Sequence, residues 1–286
     1  MTESILFFGF CITLVTLVIF AKKSQKIDNF LFYSSIILVS ISMLIYYIFK
    51  NPEMFFKIDN FQTIQKNNVV SENVTYFENY KGFYAYPEKE GDYPGIIMIH
   101  EWWGLNDHIK EKAKDLASEG YNVLAVDLFG SVATTPEDAR KQSSGLDQEK
   151  AILNLKAAKQ FLTEKNSKKI ASLGWCFGGA QSLQISVNEK LDATVIYYGN
   201  VSLPKEKLKN ISNPVLGIFG DQDNLIPINQ VNEFEKNLSD LNISNSINIY
   251  KGVGHAFANP SNPNYSVAET EDAWDKTLQF LSETLK

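Results

Sequence analysis

The chain has 286 residues, 44% of them hydrophobic, which is enough for a sizeable core and excludes a disordered protein. A formal charge of -6, with no basic run beyond the first 30 residues, excludes a surface that could neutralise a row of phosphates, so no nucleic-acid partner is expected. The two cysteines, Cys11 and Cys176, lie far apart and outside any CxxC pattern, which excludes a redox pair or a cysteine-rich metal site.

Two apolar runs open the chain. Residues 5–20, ILFFGFCITLVTLVIF, are broken only by threonines able to bond back to a helix backbone, and residues 30–49, FLFYSSIILVSISMLIYYIF, carry no charge. They predict a transmembrane helical hairpin over residues 1–50, with spans at about 4–21 and 30–49 and the lipid bilayer as a partner. Lys22, Lys23 and Lys26 in the short connection favour the cytoplasmic side for the loop and an extracytoplasmic face for the rest. MTES lacks the basic start of a cleaved signal peptide, and a pair of buried core helices is the other reading. Residues 51–68 mix polar and aromatic side chains without a period and are expected to be a linker, leaving 69–286 as the large domain.

From there strands and helices alternate. NYKGFYAYPE suggests a hairpin strand, PGIIMIHEWWG a buried strand ending in turn residues, NDHIKEKAKDLASEG a capped helix, and YNVLAVDLFG another strand. A polar loop is expected next, then a helix over 148–165, the strand KIASLG, a helix from Gly178, the strands ATVIYYG and PVLGIFG, a helix over 228–241, the strand SINIYKG and a last helix to Leu285. Strands apolar throughout and separated by amphipathic helices predict an α/β fold with a mainly parallel sheet covered on both faces. Such sheets carry their chemistry beyond the carboxyl ends of the strands.

GWCFGG, residues 174–179, falls at one of those ends, just before a helix. A strand that turns straight into a helix strains its apex residue, and glycines on either side remove the side chains that would crowd it. The pattern is that of a nucleophile elbow with Cys176 at the apex, where helix N-terminal amides favour a thiolate and a developing oxyanion. The chain order of this arrangement is nucleophile, acid, histidine. Asp221 and Asp223 follow the strand PVLGIFG, and His255 follows SINIYKG in the Gly-bearing loop VGHAFANP.

IHEWWGLND, YNVLAVDLFG, GWCFGGA, IYYG, GDQDNLIP and GHAFANP, in this order, make the chain from about Tyr76 onward resemble the dienelactone hydrolase family, an α/β-hydrolase branch with a cysteine nucleophile. The resemblance implies a triad of Cys176, Asp223 and His255, preferring Asp223 over Asp221 because it stands three positions after Gly220. It also implies that Glu101 contacts the resting nucleophile and helps ionise it, and that the backbone amides of Trp102 and Phe177 form the oxyanion hole. Arg140, the chain's one arginine, lies where the family clamps a substrate carboxylate. A small-molecule ester or enol-lactone is the expected substrate. HEWWG lacks the second histidine of a zincin, so His100 and His108 read as structural, with no metal or cofactor expected. The same scaffold admits a broad carboxylesterase, a thioesterase, or a non-catalytic membrane-bound binding or scaffold protein.

Overall fold

A computed structural model of the chain describes residues 66–286. Their sheet holds eight strands: β1 (Val69–Phe77), β2 (Tyr80–Pro87), β3 (Gly95–Ile99), β4 (Asn122–Val126), β5 (Ile170–Trp175), β6 (Ala193–Tyr197), β7 (Val215–Gly220) and β8 (Asn245–Tyr250). Their spatial order is β1-β2-β4-β3-β5-β6-β7-β8. β1, β2 and β4 pair antiparallel, and every pairing from β4 through β3 to β8 is parallel. The helices are α1 (Asp107–Ser118), α2 (Pro136–Ser144), α3 (Gln148–Glu164), α4 (Phe177–Asn188), the single turn α5 (Lys205–Leu208), α6 (Ile228–Asp240) and α7 (Val267–Leu285).

Alternation along the central strands feeds two cores. Ile96 and Met98 of β3 pack on the side of Ile109 and Leu116 from α1 and Ala273 and Leu281 from α7. Ile97 and Ile99 face the other way, onto Leu155, Ala158 and Leu162 of α3. Both faces of a central strand are thus dry, which is why these strands read as unbroken apolar runs.

Three elements escaped the sequence reading, the shortest of them the single turn α5. β1 is a strand with no fully buried residue, VVSENVTYF, whose polar residues gave no strong period. The loop expected between β4 and α3 contains α2, which buries Ala139 and so has almost no apolar stripe. Its signal was in its start: Thr135 caps the amide of Asp138, Pro136 occupies the first turn, and Glu137 and Asp138 complement the helix dipole.

The expected membrane hairpin is corrected. Among the described residues no helix is long and apolar enough to cross a membrane, and both runs, 4–21 and 30–49, lie outside the described residues. The fold assigned to the described residues is the α/β-hydrolase fold; most of the expected linker, 51–65, also lies outside the described residues.

Candidate active site

β3 and β5 lie side by side with Ile99 opposite Gly174, so the turn after one and the elbow after the other end at the same level. Cys176 sits between β5 and α4 with φ 52 and ψ -115, a left-handed conformation that costs a non-glycine residue on the order of 1–3 kcal/mol. Its amide donates to the Tyr197 carbonyl at 2.9 Å, and its carbonyl accepts from the Ala180 amide at 3.1 Å, so the strain is held from both sides. The flanking glycines are obligatory. A Cβ on Gly174 would stand 2.1 Å from the Gly178 oxygen, and one on Gly178 would stand 2.3 Å from the Ile99 oxygen. Glycine at these two positions is what lets α4 start against the ends of both strands.

The loop after β7 delivers Asp223, and the loop after β8 delivers His255. Asp223 Oδ1 accepts from the amides of Leu225 at 2.7 Å and Ile226 at 3.0 Å, which fixes the carboxylate and leaves Oδ2 free for the imidazole. His255 Nδ1 lies 2.8 Å from that Oδ2, and Nε2 lies 3.0 Å from Cys176 Sγ. The three side chains form one chain of contacts. Asp221, the other acid open to the sequence, instead accepts from the Gly252 amide at 2.7 Å and ties the two loops together.

Burial of the imidazole works against its charged form, yet the bonds to Asp223 and Cys176 outweigh it and raise His255 from 6.5 to about 10. Burial also resists the charge of Asp223, but His255 and the two amides hold its carboxyl below the ordinary range. The Asp223 side chain has no exposed surface, and that of His255 is 16% exposed. Proton affinity is thereby concentrated on the ring nitrogen that faces the sulfur.

Glu101 opens the turn that follows β3 and is buried. Its carboxyl accepts from the side-chain amide of Asn259. The resemblance implied a contact between Glu101 and the resting nucleophile; here Sγ is bonded to His255, and Glu101 is held by Asn259. The sequence reading missed Asn259. Its position four residues after His255, in a loop that folds back over the site, was the available clue.

Burial pushes the Glu101 carboxyl from 4.5 up to about 7, with the Asn259 bond and the charge of His255 pulling the other way. The folded value lies above the unfolded one, so this group's contribution is fully present below pH 4.5 and is lost as pH rises through about 7. The full loss is about 3 kcal/mol. Glu101→Gln is therefore expected to gain stability relative to the parent between about pH 5 and about pH 8, measured as the change in Tm difference. An offset that does not change with pH would remove Glu101 as the source.

The amides of Trp102 and Phe177 donate to no hydrogen bond among the described residues, and each stands three residues beyond the paired Ile99 and Gly174. The Trp102 turn is clamped from behind. Gln142 Nε2 donates to the Trp102 carbonyl at 2.7 Å, the Ala133 amide donates to the Trp103 carbonyl at 2.8 Å, and Gly104, at φ +93, sits where a Cβ would meet the Ser131 oxygen at 2.3 Å. Tyr198, fully buried, packs its ring edge-on to His255 at 5.3 Å, and its hydroxyl has no partner among the described residues.

His100 is a scaffold residue. Nδ1 lies 2.6 Å from the Glu101 carbonyl and so carries the proton, while Nε2 accepts from the Leu128 amide at 3.1 Å, joining the ends of β3 and β4. His108 lies on α1. Arg140 is not brought to the site. It is exposed on α2, and residues two apart on a helix point to opposite sides, so the face that sends Gln142 to Trp102 turns Arg140 away.

The profile of the family described as "Dienelactone hydrolase family" matches residues 80–285. Protein usf of Aquifex pyrophilus is 32% identical over 218 residues, covering 72% of this chain and 94% of that protein. A protein of Saccharolobus solfataricus named as a candidate carboxymethylenebutenolidase is 28% identical over 252 residues, covering 72% of this chain and 95% of the relative. Among solved structures, a dienelactone hydrolase-like promiscuous phosphotriesterase from metagenomic libraries superposes with a TM-score of 0.68 at 24% identity, over 76% of this chain and 99% of the other. At that identity the superposition speaks for the fold.

Proposed function

The chain belongs to the dienelactone hydrolase family of carboxylic ester hydrolases, and from that premise we propose that it cleaves an ester or enol-lactone through Cys176, His255 and Asp223 by way of an acyl-enzyme. The observation that carries the reading is the unbroken run of contacts from Sγ through the imidazole to Oδ2, 3.0 and 2.8 Å, between residues far apart in sequence.

In this mechanism His255 Nε2 takes the thiol proton as Sγ attacks the carbonyl carbon. The carbonyl π pair moves to oxygen, and the amides of Trp102 and Phe177 receive that oxyanion. Collapse breaks the C–O bond, and the imidazolium gives its proton to the departing oxygen. A water then attacks the thioester, passing its proton to His255, and the thiol is restored as the acid leaves. Asp223 keeps the imidazole in the tautomer with its proton on Nδ1 and stabilises it when charged. Glu101, whose proton affinity sits near neutrality, supplies a second carboxylate beside these groups, and release of Asn259 would free it to approach the sulfur.

The test is hydrolysis of a panel of enol-lactones, simple aryl esters and acyl thioesters by the purified chain. The reading expects turnover of lactones or oxygen esters. Turnover of thioesters alone would reassign the protein as a thioesterase, and no turnover, with no labelling of Cys176 by a thiol-directed acylating probe, would make it a binding protein.

A further inference from the structure

The site holds two buried acids, Glu101 and Asp223, and one group beside them able to offset their charge, the imidazole of His255. Glu101 is 4% exposed, and its carboxyl accepts a hydrogen bond from a neutral amide, that of Asn259. Asp223 is satisfied by His255 and two backbone amides. Among the described residues no lysine or arginine forms an ion pair with Glu101 or Asp223, although lysines pair freely on the outer surface, as Lys159 does with Glu189 and Lys205 with Asp240. Arg140 points away on α2. The one positive group at the centre is His255, and both of its nitrogens are committed, to Asp223 and to Cys176.

A substrate carboxylate entering this space would lose its water beside a buried acid, with no lysine or arginine among the described residues to offset the cost and the imidazole of His255 already held by Asp223 and Cys176. An uncharged acyl group meets no such penalty. The half-buried indoles of Trp102 and Trp103, stacked edge-on at 5.1 Å in the turn next to Glu101, favour apolar over charged groups at the same place.

We infer that the site selects substrates whose acyl part is uncharged, neutral esters or lactones, and that the buried Glu101, bonded to Asn259 rather than to a cation, is what disfavours a second carboxylate near the reacting carbonyl. This rests on the hydrolase reading above and narrows it to a substrate class. Within that class Glu101 acts on selection through its charge.

The experiment compares the 4-nitrophenyl monoester of adipic acid, its distal carboxylate free, with the same ester capped as a methyl ester. Both are assayed with the 286-residue chain at about pH 8, above the value of about 7 to which burial lifts Glu101, so that its carboxyl is charged, and the rate of Cys176→Ala is subtracted. The capped ester is expected to show the higher kcat/KM by about tenfold or more, the scale of one like-charge contact in a partly buried site. In Glu101→Gln the ratio of the two should fall toward unity. Taking a ratio within each variant cancels any common loss of rate. Equal rates, or preference for the free acid, would overturn the inference while leaving the hydrolase reading intact. A ratio that Glu101→Gln leaves unchanged would overturn the assignment to Glu101. Hydrolysis that persists undiminished in Cys176→Ala would instead overturn the hydrolase reading itself.

Discussion

Cys176→Ala is expected to lower kcat/KM by about ten-thousandfold or more, with the fold retained. The substitution removes the one atom that can bond covalently to the acyl carbon, so the two-step route closes and direct attack by water remains. Whatever rate persists would come from the amides of Trp102 and Phe177 stabilising an oxyanion without a nucleophile beside it. Alanine keeps a Cβ at φ 52, so the backbone strain of the elbow is unchanged, and the lost volume is one sulfur at a half-buried position. Tm should therefore move little. Steady-state hydrolysis together with a melting curve checks both halves, and parent-like turnover in a folded variant refutes the nucleophile.

Asp223→Asn is expected to cost about a thousandfold to ten-thousandfold in kcat/KM, for a reason of hydrogen-bond direction more than of charge. Oδ1 of Asp223 accepts from the amides of Leu225 and Ile226. An asparagine must keep its oxygen there, because turning its NH2 toward two N–H donors would leave all of them unsatisfied. Its NH2 then faces His255 Nδ1 and donates to it, which moves the ring proton to Nε2. A protonated Nε2 points a donor at the sulfur and can no longer take the thiol proton. Loss of the carboxylate also removes one of the bonds that raises His255 to about 10, so the imidazole should titrate lower. Activity assays and an NMR titration of the ring read the two effects separately. A variant within tenfold or so of the parent would remove Asp223 from the acid's role.

Much of the site could be read along the chain because its demands are local. An elbow needs glycine at 174 and 178 whatever else the protein does, since a Cβ at either would overlap backbone. The buried parallel strands announce themselves because dry surface on both faces leaves no room for alternation. The choice between Asp221 and Asp223 was a different kind of question. Both stand at the end of β7, and the amides of Leu225, Ile226 and Gly252 decide which carboxylate turns inward. α2 was missed because a helix that buries one alanine carries its signal in its cap rather than in a stripe.

Local sequence chemistry alone determined the strand order of types, the strained apex at Cys176 and a short set of acids and histidines that could serve it. Tertiary structure alone decided which of them meet: that Asn259 holds Glu101, that Arg140 faces away from the turn Gln142 grips, and that His255 reaches both Asp223 and Cys176. The physical reason is range. Steric and capping preferences act over a few neighbouring residues and are written in them, whereas a hydrogen bond between side chains 79 or 158 residues apart depends on how every intervening element packs.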